Sequence, residues 1–321
     1  MARVASLTVE HRRGAFTEGE HPVSAALVDA HGSVLERCGE PVVTTWRSGA
    51  KPFQLQGSLE ALGEALTAGF APRDLAVGAA SHSGQPSHTA RVTALLGRFG
   101  LGVEALRCGG HAPVHKPSEH ALARAGEPYT ALHNNCSGKH AFMAIATRHQ
   151  GWDPDYRPAE HPLQALLRRV VDDHTGGQLR AVVCDGCGVP CFVAPLEGMA
   201  RAYARLAVAG GVLGRIRDAM ATQPELVSGA GRSDLALVRG AREALVSKVG
   251  AEGLLCLAVP SRGVGLVLKV RSGHEDARMA AARAVLARWL PGLVEDRVFE
   301  AFCAVRNVVG DAVGERVAVW G

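Results

Sequence analysis

Ser48 and Lys51 are the first residues whose types and spacing suggest covalent chemistry, within the segment TWRSGAKPFQ. A helix-periodic apolar run follows them, so a helix that begins at Ser48 would place both side chains on one face. A neutral lysine there could take the proton of the serine and make it a nucleophile. Backbone N–H groups at the helix N-terminus could hold an oxyanion. The same spacing also fits a capping serine beside a solvated lysine, so other segments must decide.

A loop rich in hydroxyl and imidazole groups, ASHSGQPSH at residues 80–88, follows a short apolar run. Ser87 fits the cap of a following helix. Ser81 and His82 have no such structural role in the sequence, and loops at the ends of elements are where proteins display reactive groups. Ser81 is therefore a second candidate for hydroxyl chemistry.

Two segments carry thiols: LHNNCSGKH at residues 132–140 and VCDGCGVPC at residues 183–191. The first lacks the glycine spacing and the Ser/Thr of a P-loop, which excludes nucleotide binding by that motif. Cys136 and Lys139 lie three apart at a predicted helix start and share a face, although Cys136 also fits a small buried residue. The second segment lacks the second cysteine pair of a zinc knuckle. A site that combines Cys136 with a cysteine of the second segment stays open.

Lys248 comes just before a predicted strand near the C-terminal end of the chain. A lysine on an edge strand that faces the Ser48 helix could place a second cation beside Lys51, or could activate Ser81. Taken alone, the segment is equally typical of an ordinary turn with a solvated lysine.

The composition fits a globular chain: of 321 residues, 47% are hydrophobic and 21% are charged, and the formal net charge is +4. No Lys/Arg tract with interleaved aromatics occurs, which argues against nucleic-acid binding. No run of about 18 apolar residues occurs, so we expect no membrane span. The N-terminus lacks the apolar core of a signal peptide, so the expected location is cytoplasmic. The eight cysteines are then expected to be reduced.

The order of the elements predicts an α/β fold. The predicted strands occupy residues 6–11, 23–29, 33–37, 40–45, 254–259, 265–270, 298–305 and 316–320. A turn signal, DAHG, separates the second from the third and indicates antiparallel pairing. The middle of the chain is mostly helical in pattern, apart from a predicted loop at residues 184–195. We therefore predict a single catalytic domain, with an α/β lobe from about residues 1–66 and 245–321 and a helical lobe from about 67–244.

Taken together, these segments resemble the asparaginase II family, the rhizobial-type (class 3) L-asparaginases. The matching segments run in order over nearly the whole chain: RSGAKPFQ at 47–54, ASHSG at 80–84, HNNCSGKH at 133–140, DGCGVP at 185–190 and KVGAEG at 248–253. The resemblance implies the fold of serine β-lactamases, penicillin-binding proteins and bacterial glutaminases. That fold has an antiparallel sheet flanked by helices, with an inserted helical lobe. The resemblance also implies a homodimer.

The same resemblance implies the residues of the site. The catalytic residues would be Ser48 as nucleophile with Lys51 as its base, and Ser81 with Lys248 as a second Ser–Lys pair. The ligands of one zinc ion (Zn2+) per chain would be Cys136, Lys139 and Cys187, with water completing the shell. The substrate pocket would include Arg47, Asn134, Asp185 and Glu252.

The implied reaction is hydrolysis of L-asparagine to L-aspartate and ammonia through an acyl-enzyme on Ser48, with zinc ordering the pocket rather than reacting. Val249 follows Lys248 where β-lactamases have Thr, so a pocket for a β-lactam carboxylate is not supported. Two alternatives stay open: another Ser–Lys amidohydrolase or peptidase (a glutaminase or a β-lactam-reactive protein), or a non-catalytic relative that binds zinc or an amino acid. The choice between asparagine and glutamine is also open, because one methylene changes binding by only about 1–3 kcal/mol.

Overall fold

The computed structural model describes residues 5–321, which form two compact units. The sheet unit consists of the chain up to Gly49, Ala194–Val208 and Ala236–Gly321. The helical unit consists of Ala50–Val193 and Ala209–Leu235. The sequence pattern, by comparison, places the lobe boundaries near residues 66 and 245.

Eleven strands and twelve α-helices occupy residues 5–321. The strands are β1 (Leu7–Arg13), β2 (Phe16–Asp29), β3 (Val34–Cys38), β4 (Val43–Thr45), β5 (Ala181–Cys184), β6 (Pro190–Pro195), β7 (Val246–Gly250), β8 (Leu254–Val259), β9 (Val264–Val270), β10 (Ala304–Arg306) and β11 (Ala312–Trp320). The helices are α1 (Lys51–Ala68), α2 (Pro72–Gly78), α3 (Pro86–Arg98), α4 (Lys116–Ala125), α5 (Ser137–Gln150), α6 (Pro162–Thr175), α7 (Leu196–Val208), α8 (Gly211–Thr222), α9 (Pro224–Val227), α10 (Ser233–Arg239), α11 (Arg278–Trp289) and α12 (Arg297–Cys303). Over the described part of the chain, no helix has both the length and the apolar character that crossing a membrane requires.

Eight antiparallel strands form one sheet in the sheet unit, in the order β10-β11-β1-β2-β9-β8-β7, with β3 paired to β2. Short turns connect β1 to β2 and β8 to β9. Such turns are sufficient because antiparallel neighbours can be joined by a tight hairpin. All of β9 and residues 23–28 of β2 are buried. Such continuous burial arises where both faces of a sheet are covered. The predicted α/β fold class, with an antiparallel sheet flanked by helices, is confirmed.

Two helices cover opposite faces of this sheet. The backbone of α7 comes so close to Gly265 in β9 that a Cβ there would overlap Ala200 O and Ala204 N, so this packing requires glycine. Leu266 and Leu268 belong instead to the core that α11 covers. Because neighbouring residues along a strand face opposite sides, α7 and α11 lie on different faces.

The helical unit is arranged around α5, which contacts α1, α2 and α3. Residues 137–147 of this helix are all buried. In its first turn, a Cβ on Gly138 would overlap the backbone carbonyl of Val77, at the end of α2. This close approach fixes the start of α5, and with it Cys136 and Lys139 on either side of the glycine.

Two local predictions are wrong. Residues 298–303 do not form a strand, because α12 occupies them and buries Phe299 and Cys303, which lie one helical turn apart. The last two residues of the predicted strand do belong to β10. Residues 184–195 do not form a loop throughout, because β5 and β6 pair as an antiparallel hairpin. Pro190 is the first residue of β6, a position that tolerates proline because its missing N–H leaves the ladder intact.

Candidate functional site

Lys51 begins α1, and its side chain is fully buried, at 0% exposure. Its Nζ lies 2.6 Å from Ala80 O, 2.9 Å from Ser81 Oγ and 3.4 Å from Asn135 O. A buried amine is costly unless its N–H groups find acceptors, and these three oxygens supply them. The helical unit therefore places a lysine amine and a serine hydroxyl in direct hydrogen-bond contact.

His82 holds the loop that carries Ser81. Its Nδ1 accepts a hydrogen bond from Gly84 N (3.1 Å), so Nε2 carries the proton and donates to Ser137 Oγ at 2.8 Å. Burial is the largest cause that lowers the pKa of His82 well below its usual value, and the neighbouring His88, stacked at 4.9 Å, adds to it. His82 is therefore a neutral imidazole that ties the loop to the first turn of α5.

The side-chain amide of Asn134 is engaged at both ends. Its Nδ2 donates to Cys108 O at 2.9 Å and Gly109 O at 3.1 Å, and its Oδ1 accepts from Cys136 N at 2.8 Å. Asn134 therefore closes the turn that begins α5. A substrate contact by this side chain would have to use the second lone pair of Oδ1.

The backbone of Asn135 connects three parts of the helical unit. Its N–H donates to His111 Nε2 at 3.1 Å, and its carbonyl accepts from His82 N at 3.2 Å and from Lys51 Nζ. His111 Nδ1 lies 2.7 Å from Ala112 O, so it carries the proton and leaves Nε2 as the acceptor. The sequence analysis missed His111, because a histidine in a loop gives no signal of which backbone group it will bind.

Cys136, Lys139 and Cys187 lie together, although 48 residues separate the last two. Lys139 Nζ donates to Cys187 Sγ at 3.2 Å. A hydrogen bond from Cys187 is the largest cause that lowers the pKa of Cys136, and the same bond, followed by burial, raises the pKa of Cys187. Burial acts to lower the pKa of Lys139, but the two sulfurs and Asp185 together raise it. The cluster thus favours a positive charge on Lys139 and a negative charge on Cys136.

These three side chains fit a zinc ion. In a tetrahedral site with Zn–S of about 2.3 Å and Zn–N of about 2.0 Å, a sulfur and a nitrogen ligand lie about 3.5 Å apart. The Lys139 Nζ to Cys187 Sγ distance of 3.2 Å is close to that value. Zinc binding would displace the protons that Lys139 and Cys187 now hold, since both must ligate in their deprotonated forms.

Asp185 lies in the tight turn between β5 and β6. Its backbone N–H donates to Val189 O, and its carbonyl accepts from Gly188 N, both at 2.9 Å. Gly188 has φ +84°, a conformation that glycine adopts without strain. One carboxylate oxygen accepts from Gly186 N at 2.8 Å, and the other lies 3.8 Å from Cys187 Sγ. The turn therefore holds a carboxylate beside the thiol cluster.

In the sheet unit, Ser48 lies half-buried in a short 3-10 turn directly before α1. The turn is closed by Gly49 N, which donates to Trp46 O at 3.0 Å. A Cβ on Gly49 would lie 2.6 Å from the Trp46 ring, so the ring packs on the turn itself. Arg47 adopts φ +48°, a strained conformation for a residue with a side chain, and such strain concentrates at functional sites.

Lys248 faces the same turn. In the register of β7 and β8 it pairs with Cys256, and paired residues point to the same face of a sheet. Cys256 Sγ would lie 2.9 Å from a Cβ on Gly49, next to Ser48, so this face is the one that packs against the turn. Lys248 is fully buried, and its Nζ donates to Val249 O at 2.8 Å.

Glu252 lies exposed in the turn between β7 and β8, with φ +62°. Its carbonyl accepts from Lys269 Nζ at 2.6 Å. Burial lowers the pKa of Lys269, a buried lysine that the sequence analysis did not single out. The carboxylate of Glu252 lies beside Gly273, on the turn that follows β9. The predicted site residues of the sheet unit are thus carried by two turns and one strand.

Comparison with known proteins identifies a protein family that matches this chain. The model of L-asparaginase II matches residues 9–317. A search of curated proteins finds no significant match. One solved structure with partial similarity is Mglu in its native form, which is 13% identical; the match covers 89% of this chain and 69% of that chain, with a TM-score of 0.47. Another is a beta-lactamase from Mycobacterium bovis, which is 16% identical; the match covers 83% of this chain and 94% of that chain, with a TM-score of 0.44. Superpositions this partial support no argument about the site. The match over most of the sequence confirms the predicted family: the chain belongs to the L-asparaginase II family.

Proposed function

We propose that this member of a family of amide hydrolases is an L-asparaginase, which converts L-asparagine and water to L-aspartate and ammonia. The observation that carries the proposal is the contact of 2.9 Å between Lys51 Nζ and Ser81 Oγ, at the start of the helix that follows the Ser48 turn. A lysine amine in contact with a serine hydroxyl can pass a proton in either direction. Acyl transfer from an amide needs such a relay, because ammonia leaves only after it is protonated.

In the first half of the reaction, neutral Lys51 takes the proton of Ser48, and Ser48 Oγ forms a bond to the side-chain amide carbon of asparagine. The C–N bond then breaks. The departing nitrogen receives the proton through Ser81, and Lys51 replaces the proton that Ser81 gives up. Lys248, buried on the sheet face that packs against the Ser48 turn, supplies positive charge near the Ser48 hydroxyl.

In the second half, water adds to the acyl carbon and gives its proton to Lys51. The bond to Ser48 Oγ then breaks, and Lys51 returns that proton to Ser48 Oγ. The oxyanion of both halves is held by backbone N–H groups of the Ser48 turn. Gly49 N–H is not one of them, because it already donates to Trp46 O. We assign Ser48 N–H to this role.

For substrate recognition, Arg47 suits the α-carboxylate of asparagine, because a guanidinium binds a carboxylate through two parallel hydrogen bonds. Asp185 and Glu252 suit the α-ammonium. Asn134 completes the pocket through the free side of Oδ1. We expect a homodimer from the family resemblance.

Cys136, Lys139 and Cys187 would hold one zinc ion, and the chemistry of the donor set supports this assignment. When bound, the ion supplies a fixed positive centre that joins the start of α5 to the turn of Asp185. The two thiolates largely neutralise its charge, which disfavours the activation of water there.

The test is ammonia release from L-asparagine and L-glutamine by the purified protein, by Ser48→Ala and by Ser87→Ala. Ser87 is exposed in the first turn of α3, so its variant is a matched control. We expect release from asparagine by the wild type and the control and none by Ser48→Ala, with an aspartyl adduct on Ser48 in acid-quenched wild type. No release from either amide by the folded protein would refute the enzyme assignment.

Three further outcomes separate the alternatives. Faster release from L-glutamine than from L-asparagine would identify a glutaminase with the same site. An aspartyl adduct on Ser81, with activity retained by Ser48→Ala, would exchange the roles of the two serines. Acylation by a labelled penicillin in place of amide hydrolysis would identify a β-lactam-reactive protein.

A further inference from the structure

A second cluster of metal-ligating side chains lies in the sheet unit and uses none of the residues assigned above. It consists of His11, His21 and His274, whose rings lie 4.6–4.9 Å apart between centroids. One nitrogen of each ring lies within 4.8 Å of those of the other two. We propose that these three histidines bind one divalent late transition-metal ion, such as Zn2+, with the remaining coordination position open to water.

Strand register brings the first two histidines together. His11 in β1 pairs with Gly19 in β2, and His21 follows Gly19 by two residues, so both imidazoles point to the same face as diagonal neighbours. Gly19 has no side chain between them, and a Cβ there would lie 3.8 Å from His21 Nε2. The pair therefore meets over a gap that glycine leaves in the sheet.

The third histidine is placed by the turn that follows β9. Arg271 N donates to Pro22 O at 2.8 Å, which fastens the turn to β2 next to His21. Gly273 N donates to Val270 O at 3.0 Å, and Gly273 adopts φ +83°, which reverses the chain just before His274. Backbone hydrogen bonds of this turn thus place His274 beside the strand pair.

Two of the ring nitrogens are suited to ligation. His11 Nε2 is buried and has no hydrogen-bond partner within residues 5–321, which is costly for a polar atom unless something binds it. His21 Nδ1 lies 2.8 Å from Ser272 Oγ. If the ring donates its proton there, Nε2 has its lone pair available for a metal, which is the arrangement that outer-shell partners of metal-bound histidines produce.

The distances and charges are compatible with a metal. In a tetrahedral site with Zn–N of about 2.05 Å the ligand nitrogens lie about 3.4 Å apart, so the rings must close by about 1.4 Å at most. His274 is exposed and can make that movement. Arg316, which pairs with His11 across β1 and β11, carries a positive charge that would repel a metal ion, and Asp276 offsets it through an ion pair of 2.9 Å. Three neutral imidazoles suit Zn2+, Ni2+ and Cu2+.

The test uses Co2+ as the probe, titrated into the full-length protein and followed by its visible absorption. The variants are His21→Ala and His274→Gln, and the control is His31→Ala, an exposed histidine of the same unit. A three-histidine site gives visible Co2+ bands without the near-ultraviolet sulfur-to-metal absorption that the Cys136 and Cys187 site would add. We expect the sulfur-free component to weaken at least about tenfold in affinity in both variants, the loss that removal of an outer-shell partner alone can cause.

The proposal is overturned if the sulfur-free component is absent from the wild type, or if it saturates only at millimolar Co2+. It is also overturned if His31→Ala weakens it as much as the two variants do. Because His274 lies on an exposed turn, His274→Gln is expected to keep the far-ultraviolet circular dichroism of the wild type, so a lost site is distinguishable from a lost fold. Cys136→Ser with Cys187→Ser should leave the component in place, which separates it from the proposed zinc site.

Discussion

Replacing Lys51 by Met tests the proposed proton relay while it keeps an unbranched side chain in the same buried position. The change removes the amine that lies 2.9 Å from Ser81 Oγ. Proton transfer by a positioned side chain contributes about 10²- to 10⁴-fold to a rate. We therefore expect kcat for L-asparagine to fall by at least about 10²-fold, with a smaller effect on KM, measured as ammonia release under steady-state conditions.

The structure also sets the cost of this change to stability. Asn135 O keeps a donor in Lys51→Met, because His82 N still lies 3.2 Å away. Ala80 O loses the amine at 2.6 Å, and an unsatisfied buried acceptor costs about 1–3 kcal/mol. The apolar thioether offsets part of that cost, because a buried ammonium is no longer required. We expect the free energy of unfolding, measured with urea, to fall by no more than about 3 kcal/mol, so that the variant remains folded.

Lys116→Met is the matched control. Lys116 is exposed on α4 and pairs with Glu119 at 2.7 Å, a surface ion pair worth at most about 1 kcal/mol. Its variant should leave kcat unchanged. If folded Lys51→Met retains more than about a tenth of the wild-type kcat, the amine does not act as the base, and the reasoning that assigns the relay to Lys51 and Ser81 is refuted.

Four other predictions follow from the described contacts. Ser81→Ala should lower kcat for L-asparagine by about 10²-fold or more but spare an aspartate β-ester, whose leaving group needs less protonation; equal losses on both substrates would exclude a role in proton delivery. Gly138→Ala should lower the free energy of unfolding by about 1–3 kcal/mol or more, since its Cβ would overlap Val77 O, and an unchanged urea midpoint would contradict this packing. Because the pKa of His82 is lowered, its neutral ring contributes stability that is fully present above pH 6.5 and is lost as the pH falls below it, by up to about 1.4 kcal/mol per pH unit. In His82→Asn, the free energy of unfolding, measured with urea at several pH values, should therefore depend less steeply on pH. Chelation should raise KM for L-asparagine more than it lowers kcat, and a protein that loses all turnover at saturating substrate would overturn the ordering role given to zinc.

The sequence predicts most of the sheet because its signals are local. The turn after Asp29 closes through a hydrogen bond from Asp29 N to Ser33 O, and β3 folds back on β2 as its turn sequence predicts. The hairpin of β5 and β6 cannot be predicted from the sequence, because Pro190 and a glycine-rich turn resemble a loop when the partner strand is unknown. The helix that buries Phe299 is not predicted for a related reason. A short apolar run fits both the helix period and the strand period, and only its packing decides between them.

The site likewise has a part that can be predicted from the sequence and a part that cannot. The family resemblance picks out Cys136, Lys139 and Cys187, and these residues do lie together. Residue types and spacing alone left open which cysteine joins Cys136. The hydrogen bonds that hold the surrounding loops are not predictable. His82 and His111 each use one ring nitrogen to form a hydrogen bond with a residue that is distant in the sequence, and nothing in their local sequence specifies that partner.

The three acceptors around Lys51 Nζ constrain how the proposed base can work. As an ammonium, Lys51 has three N–H donors, and Ala80 O, Asn135 O and Ser81 Oγ each take one. As a neutral amine it has two donors and one lone pair. The carbonyls can only accept, so they keep the two N–H groups, and the lone pair is left to accept a proton from a serine hydroxyl. Loss of the proton therefore leaves the hydrogen bonds to Ala80 O and Asn135 O in place. A group that gains and loses a proton in each turnover requires such an environment, because these two carbonyls have a donor in both of its states.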